Sequence, residues 1–200
     1  MSVDPAASPG ARLRWLAARV AVRAEAMGLA AAGSGVEERP AVAVLQVLDT
    51  ARGAGIGRAI APPADLGDER RMEAVATALL EAMEESPQPR AEWATLERVL
   101  GAELLARLVG VSESSLRRYA SDQRATPDAV AARLHFVALV VGDLAGSYND
   151  IGVRRWFERS RSQLDGRAPS AVLGGAWDTR DEGPIRVREL AASLLAAPAT

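Results

Sequence analysis

Residues Ala102 to Ala120 read AELLARLVGVSESSLRRYA, and few arrangements accept residue types in that order. Ala106 is a small side chain placed four positions before Gly110. A helix that another helix crosses closely needs a small residue there, and a tight turn needs a residue tolerant of positive φ, which glycine supplies. Val111 then serves as an apolar plug, and Ser112 can cap a following helix. Leu116 and Tyr119, three apart, fall on one face of that helix. Together these features predict a helix-turn-helix.

If Leu116 and Tyr119 face inward, Glu113, Ser114, Arg117 and Arg118 face outward. In a DNA reader of this kind, the first turn of the second helix meets base edges in the major groove. Arg117 and Arg118 are the candidates for guanine or phosphate contacts, because a guanidinium bonds bidentately to either. Ser112, Ser114 and Ser115 are candidate DNA contacts on the same end. Gln123 and Arg124, after the helix, are placed to reach the backbone. The opposing reading is an ordinary solvated helix whose Arg118 pairs with a carboxylate, and Glu113 is a poor neighbour for a phosphate.

The rest of the chain is expected to be helical too. Hydrophobic residues make up 48% and aromatic residues 4%, so the apolar content is mostly Ala, Leu and Val. Ala and Leu favour helices, and β-branched runs are scarce. The expected fold class is all-α. The chain has no Cys and one His, which excludes a disulfide framework and the usual zinc sites, so neither metal nor cofactor is expected. No run reaches the roughly 18 apolar residues of a membrane span, and Met1 to Gly10 lacks the features of a signal peptide. A cytoplasmic location away from membranes is expected. All 24 basic residues are Arg, and the net charge of -2 argues against a non-specific nucleic-acid coat. A reader with its basic groups on one face stays open.

Three regions are expected. Residues 1–89 carry helices over Arg12–Leu29, from Pro40, and over Asp68–Glu85; Gly28 and Gly33 weaken and end the first. The linker is Ser86-Pro87-Gln88-Pro89. Residues 90–146 hold a short helix over Ala91–Leu100, the helix-turn-helix, and a long helix that Thr126 can cap and Pro127 can open. In the long helix Val130, Leu134, Val137, Val141 and Leu144 form a seam. Residues 147–200 carry short helices over Ile151–Glu158 and Pro169–Leu173 and a last one opened by Pro184.

Within that last region, Trp156 is followed by a short polar loop, then Leu164, Gly166 and Pro169. With the helix-turn-helix before it and the Val187–Leu194 helix after it, this order resembles the Xre/MbcA/ParS antitoxin family, the partners of RES-domain toxins. The resemblance spans about Gly101 to Leu195. It departs at Ser160-Arg161-Ser162, where the family usually has Pro-Asn, and at a longer Trp177–Gly183 segment. Residues 1–89 lie outside it. The resemblance implies a C-terminal toxin-binding domain that covers the active site of an NAD-consuming toxin. It also implies repression of a shared operon by binding operator DNA, and a homodimer or higher assembly. Trp156, Phe157, Arg159, Arg161, Leu164, Arg167 and Trp177 are the candidate toxin contacts, since aromatic residues and Arg favour interface centres. Trp156 and Phe157 are adjacent, so one is expected in the core and the other nearer the surface, with both in the core as the alternative. Trp177 is read as either a lid over the small domain or a partner anchor.

Two other signals are set aside. Gly53-Ala54-Gly55-Ile56-Gly57 lacks the third glycine of a dinucleotide loop, because position 58 is Arg, and no strand precedes it. His135, inside the long helix, is read as structural, because no nucleophilic triad can be assembled around it. An enzyme is not expected. The alternatives to an antitoxin are a solitary helix-turn-helix regulator and a helical adaptor that does not bind DNA.

Overall fold

The computed structural model describes residues 10–30 and 39–196, with side chains through Leu194. Gly33, expected to help end the first helix, lies outside the described residues. Among those described, every regular element is helical and none is a strand. No single described helix is long and apolar enough to cross a membrane. The chain forms two compact units, residues 1–25 with 29–86, and residues 26–28 with 87–200. The regions 90–146 and 147–200, expected as separate domains, fall within the second unit.

The first unit contains α1 (Ala11–Ala26), α2 (Pro40–Gly53) and α3 (Glu69–Glu84). Each turns a helical stripe inward: Leu13, Leu16, Ala17, Val20 and Ala24 from α1, Val44, Val47, Leu48 and Ala51 from α2, and Met72, Val75, Ala76, Leu79 and Met83 from α3. Asp68 stands before α3 as its cap and accepts from the Arg71 amide at 3.1 Å. The glycine segment after α2 ends that helix and drops Ile56 into the core.

The second unit is built around α7 (Asp128–Ala145). Before it come α4 (Pro89–Leu100), α5 (Ala102–Val109) and α6 (Glu113–Ala120). After it come α8 (Asp150–Glu158), a 3-10 turn over Ser162–Leu164, α9 (Pro169–Val172) and α10 (Glu182–Ala196). Helices α4, α5, α8 and α10 all pack on α7. Its predicted seam is therefore an underestimate: every residue from Leu134 to Leu144 is buried. A helix enclosed on all sides is apolar all round, which hides the periodicity that would reveal a face.

The two polar residues in that buried stretch have charged or polar partners. His135 Nδ1 lies 2.6 Å from Glu92 Oε1 on α4, with Glu92 wholly buried. Asp143 accepts from Arg188 Nε at 2.8 Å, tying α7 to α10. Element starts differ from expectation in two places. Pro127 is the N-cap of α7 and Thr126 lies one residue outside the capping position, where its hydroxyl accepts from the Trp93 indole at 3.0 Å. Helix α10 begins at Glu182, two residues before Pro184; a proline in a first turn removes an amide that has no intrahelical partner.

Candidate nucleic-acid interface

Helices α5 and α6 are joined by Gly110, Val111 and Ser112. Gly110 takes φ 73° and ψ 41°, the left-handed region. Its amide donates to the Arg107 carbonyl at 3.3 Å, and the Val111 amide donates to the Ala106 carbonyl at 3.0 Å. That pair of bonds is a Schellman closure, and it satisfies two carbonyls that the end of α5 would otherwise leave open. Ala106 is 4% exposed, as its place under the turn requires. Ser112 caps α6, its Oγ accepting from the Ser115 amide at 3.2 Å.

Helix α6 has two sharply different faces. Leu116 and Tyr119 are buried, and Tyr119 stacks on Trp93 with ring centroids 5.8 Å apart. Ser112, Glu113, Ser114, Arg117 and Arg118 are exposed, and Ser115 is half-buried. Ser112 Oγ also lies 3.0 Å from the hydroxyls of Ser114 and Ser115. Arg117 is within 3.2 Å of Glu113 one turn back, and Arg118 Nε donates to the Ser114 carbonyl at 3.2 Å. These are solvent-exposed local contacts, weak enough to exchange for a phosphate or a base. Gln123 and Arg124 are exposed just past the helix. The Arg124 guanidinium lies 5.7 Å from the Tyr119 ring centroid, a cation–π placement the sequence does not signal. Asp122, just past α6, pairs with Arg90 at the start of α4, a solvent-exposed contact.

The seven candidate toxin contacts do not share one surface. Trp156 and Phe157 are both buried, at 2% and 0% exposure, so the expected split between core and surface is replaced by the alternative. Neighbouring helical residues point about 100° apart; α8 packs on α4 and α7 and also on α9, so its buried sector is wide enough for both. Their rings meet edge to face at 5.2 Å. Leu164 is buried too. Arg161 is half-buried over the Trp156 ring, 5.5 Å from its centroid, while Arg159 and Arg167 are exposed. Arg167 donates to the Ala171 carbonyl at 2.6 Å. Trp177 is half-buried; its indole donates to the Leu108 carbonyl at 2.9 Å and its ring meets Phe136 edge-on at 5.1 Å.

Two exposed carboxyls of this region have perturbed acidity. Asp165 is held below its ordinary range by the hydrogen bond and charge of Arg186, which reaches it at 2.8 Å. Asp178 is lowered by its bonds from Arg180. Among the described residues no group of three or more His, Cys, Asp or Glu comes together as a metal site would need. No protein-family model, no curated protein and no solved structure matches the chain.

Proposed function

We propose that the chain is a DNA-binding regulator that reads operator DNA with α6 and, in keeping with the family it resembles, acts as the antitoxin of a RES-domain toxin. One observation carries the DNA reading: after a glycine-closed turn, α6 buries Leu116 and Tyr119 and leaves Ser112, Glu113, Ser114, Arg117 and Arg118 outward on a single face, with Glu113 paired to Arg117. That is the presentation a recognition helix needs to set side chains against base edges. The phosphate-binding role falls to Arg117, Arg118 and Arg124, and Ser112 and Ser115 stand where a backbone contact would position the helix. A homodimer would place two such helices on successive turns of a duplex.

The antitoxin arm rests on the Trp156, Leu164, Gly166 and Pro169 order, in which Trp156, Leu164 and Pro169 are framework residues buried in the second unit. The motif thus marks a shared frame, and partner contacts fall to exposed side chains around it, such as Arg159 and Arg167. Inhibition would be steric, with no catalytic group required. The test is co-expression with the neighbouring reading frame, with growth and co-purification as readouts, beside a mobility-shift assay on the upstream DNA. Arg117→Ala with Arg118→Ala is expected to abolish the shift and leave neutralisation intact. Loss of both together would refute the division of labour. DNA binding without any toxic partner would leave the solitary regulator.

A further inference from the structure

We infer that the loop Gly174–Asp178, from the C-terminal part of the chain, sets the pose of α6, with Trp177 as the positioning residue. This rests on the DNA-binding reading of α6 and adds a part to it that lies far away in sequence.

Helix α6 has eight residues, too few to hold a helix in place without outside contacts. Its C-terminal end is gripped by the buried Tyr119–Trp93 stack. Its N-terminal end, where the reading side chains sit, is held from within by Leu116 and from outside through the turn at Gly110. The outer surface of that turn is occupied. A Cβ built on Gly110 would collide with the Gly175 carbonyl oxygen, and the Arg133 guanidinium lies 3.7 Å from the same point. The Gly175 oxygen therefore stands over the Gly110 Cα, the approach of a Cα–H···O contact.

Gly174, Gly175 and Ala176 are exposed and have no side chain with which to anchor themselves. Trp177 supplies the anchor. Its indole N–H bonds the Leu108 carbonyl, one of the end carbonyls of α5, and its ring leans on Phe136 of α7. The loop is thus fastened to the end of α5 that enters the turn and to α7 beside it. Releasing it frees the reading end of α6 and leaves the opposite end fixed, a small rotation that base contacts feel more than phosphate contacts do.

The experiment compares wild type, Trp177→Phe and Trp177→Ala by fluorescence anisotropy. The probes are a duplex that the wild type selects from a randomised pool and a scrambled duplex of equal length. Trp177→Phe keeps a ring against Phe136 while losing the indole donor and part of the ring area, so it remains informative if Trp177→Ala fails to fold. Trp177→Phe is expected to weaken binding to the selected duplex roughly three- to tenfold, the worth of one hydrogen bond. Affinity for the scrambled duplex and the salt dependence should stay the same. Unchanged affinity for the selected duplex, or an equal loss on both duplexes, would overturn the positioning role. If the wild type selects no sequence at all, the DNA reading itself fails and this inference falls with it.

Discussion

Gly110 carries two constraints that substitution can separate. One is backbone conformation: φ 73° is strained for most residues with a Cβ, Asn and Asp least. The other is space, because the Gly175 carbonyl fills the position a Cβ would take. Gly110→Ala meets both. The left-handed conformation costs about 1–2 kcal/mol for Ala. Displacing the loop forfeits the Trp177–Leu108 bond, about 1 kcal/mol, and part of the Trp177–Phe136 contact, worth about 0.5–1.5 kcal/mol. A total near 3 kcal/mol is expected. Asn tolerates the left-handed region, so Gly110→Asn isolates the spatial part at about 1–2.5 kcal/mol. Gly166 is the control: its φ is 77°, and nothing lies within 4 Å of its missing Cβ. Gly166→Asn should cost well under about 1 kcal/mol, the ordinary range for an exposed site. Urea unfolding followed by tryptophan fluorescence measures this directly, because Trp93, Trp156 and Trp177 all belong to the second unit. The midpoint should fall with an unchanged slope. If Gly110→Asn proves as mild as Gly166→Asn, the loop does not press on the turn and the spatial reasoning is wrong.

Other expectations follow from the same contacts. His135→Leu leaves the Glu92 carboxyl, 0% exposed and with Oε2 already lacking a hydrogen-bond partner, without its imidazole. That should cost about 1–3 kcal/mol, and Glu92→Leu added to it should recover part of the loss in urea unfolding, since an apolar pair replaces a buried carboxyl left without its partner. Asp165 has its acidity raised by Arg186, so its folded pKa lies below its unfolded one. The stabilisation is then present above the unfolded value near 3.8 and disappears as pH falls through the lower folded value. Melting curves of wild type and Arg186→Gln should therefore differ at neutral pH and converge in acid; a gap that widens below pH 3.8 would contradict the sign. The exposed pair of Arg107 and Glu158 should matter little, with Glu158→Gln shifting stability by less than about 1 kcal/mol in the same urea assay.

What could be read from the residues was local chemistry. Gly110, Ser112, Leu116 and Tyr119 announced the α5–α6 turn because glycine conformation, capping and helical spacing all act within a few residues. The all-helical class followed from Ala and Leu for the same reason. What could not be read were contacts between residues far apart in the chain. Trp177 bonds a carbonyl 69 positions away, and a carbonyl has no letter in the sequence. Thr126 looked like a cap because its neighbours suited one, yet Trp93, 33 positions earlier, takes its hydroxyl. The partner of His135 was hidden because Glu92 stands on another helix, 43 positions back, among residues with no special pattern.

The residues most recognisable in the C-terminal part belong to its interior. Trp156, Leu164 and Pro169 are buried, and Gly166 takes a positive φ beside Asp165, which does so too. Each suits the frame: a large ring to fill a wide buried sector, an apolar peg, and a turn that only certain backbones make. A surface that meets a partner is under no such demand and can vary with the partner. An ordered motif therefore points to the frame, and the contacts have to be sought on the side chains the frame leaves outside. In α8 those are Ile151, Arg155 and Glu158, exposed on the face opposite Val153, Trp156 and Phe157, with Arg159 exposed just past its end. The same division holds in α6, where Leu116 and Tyr119 made the turn legible and the exposed Arg117 and Arg118 are the side chains that would touch DNA.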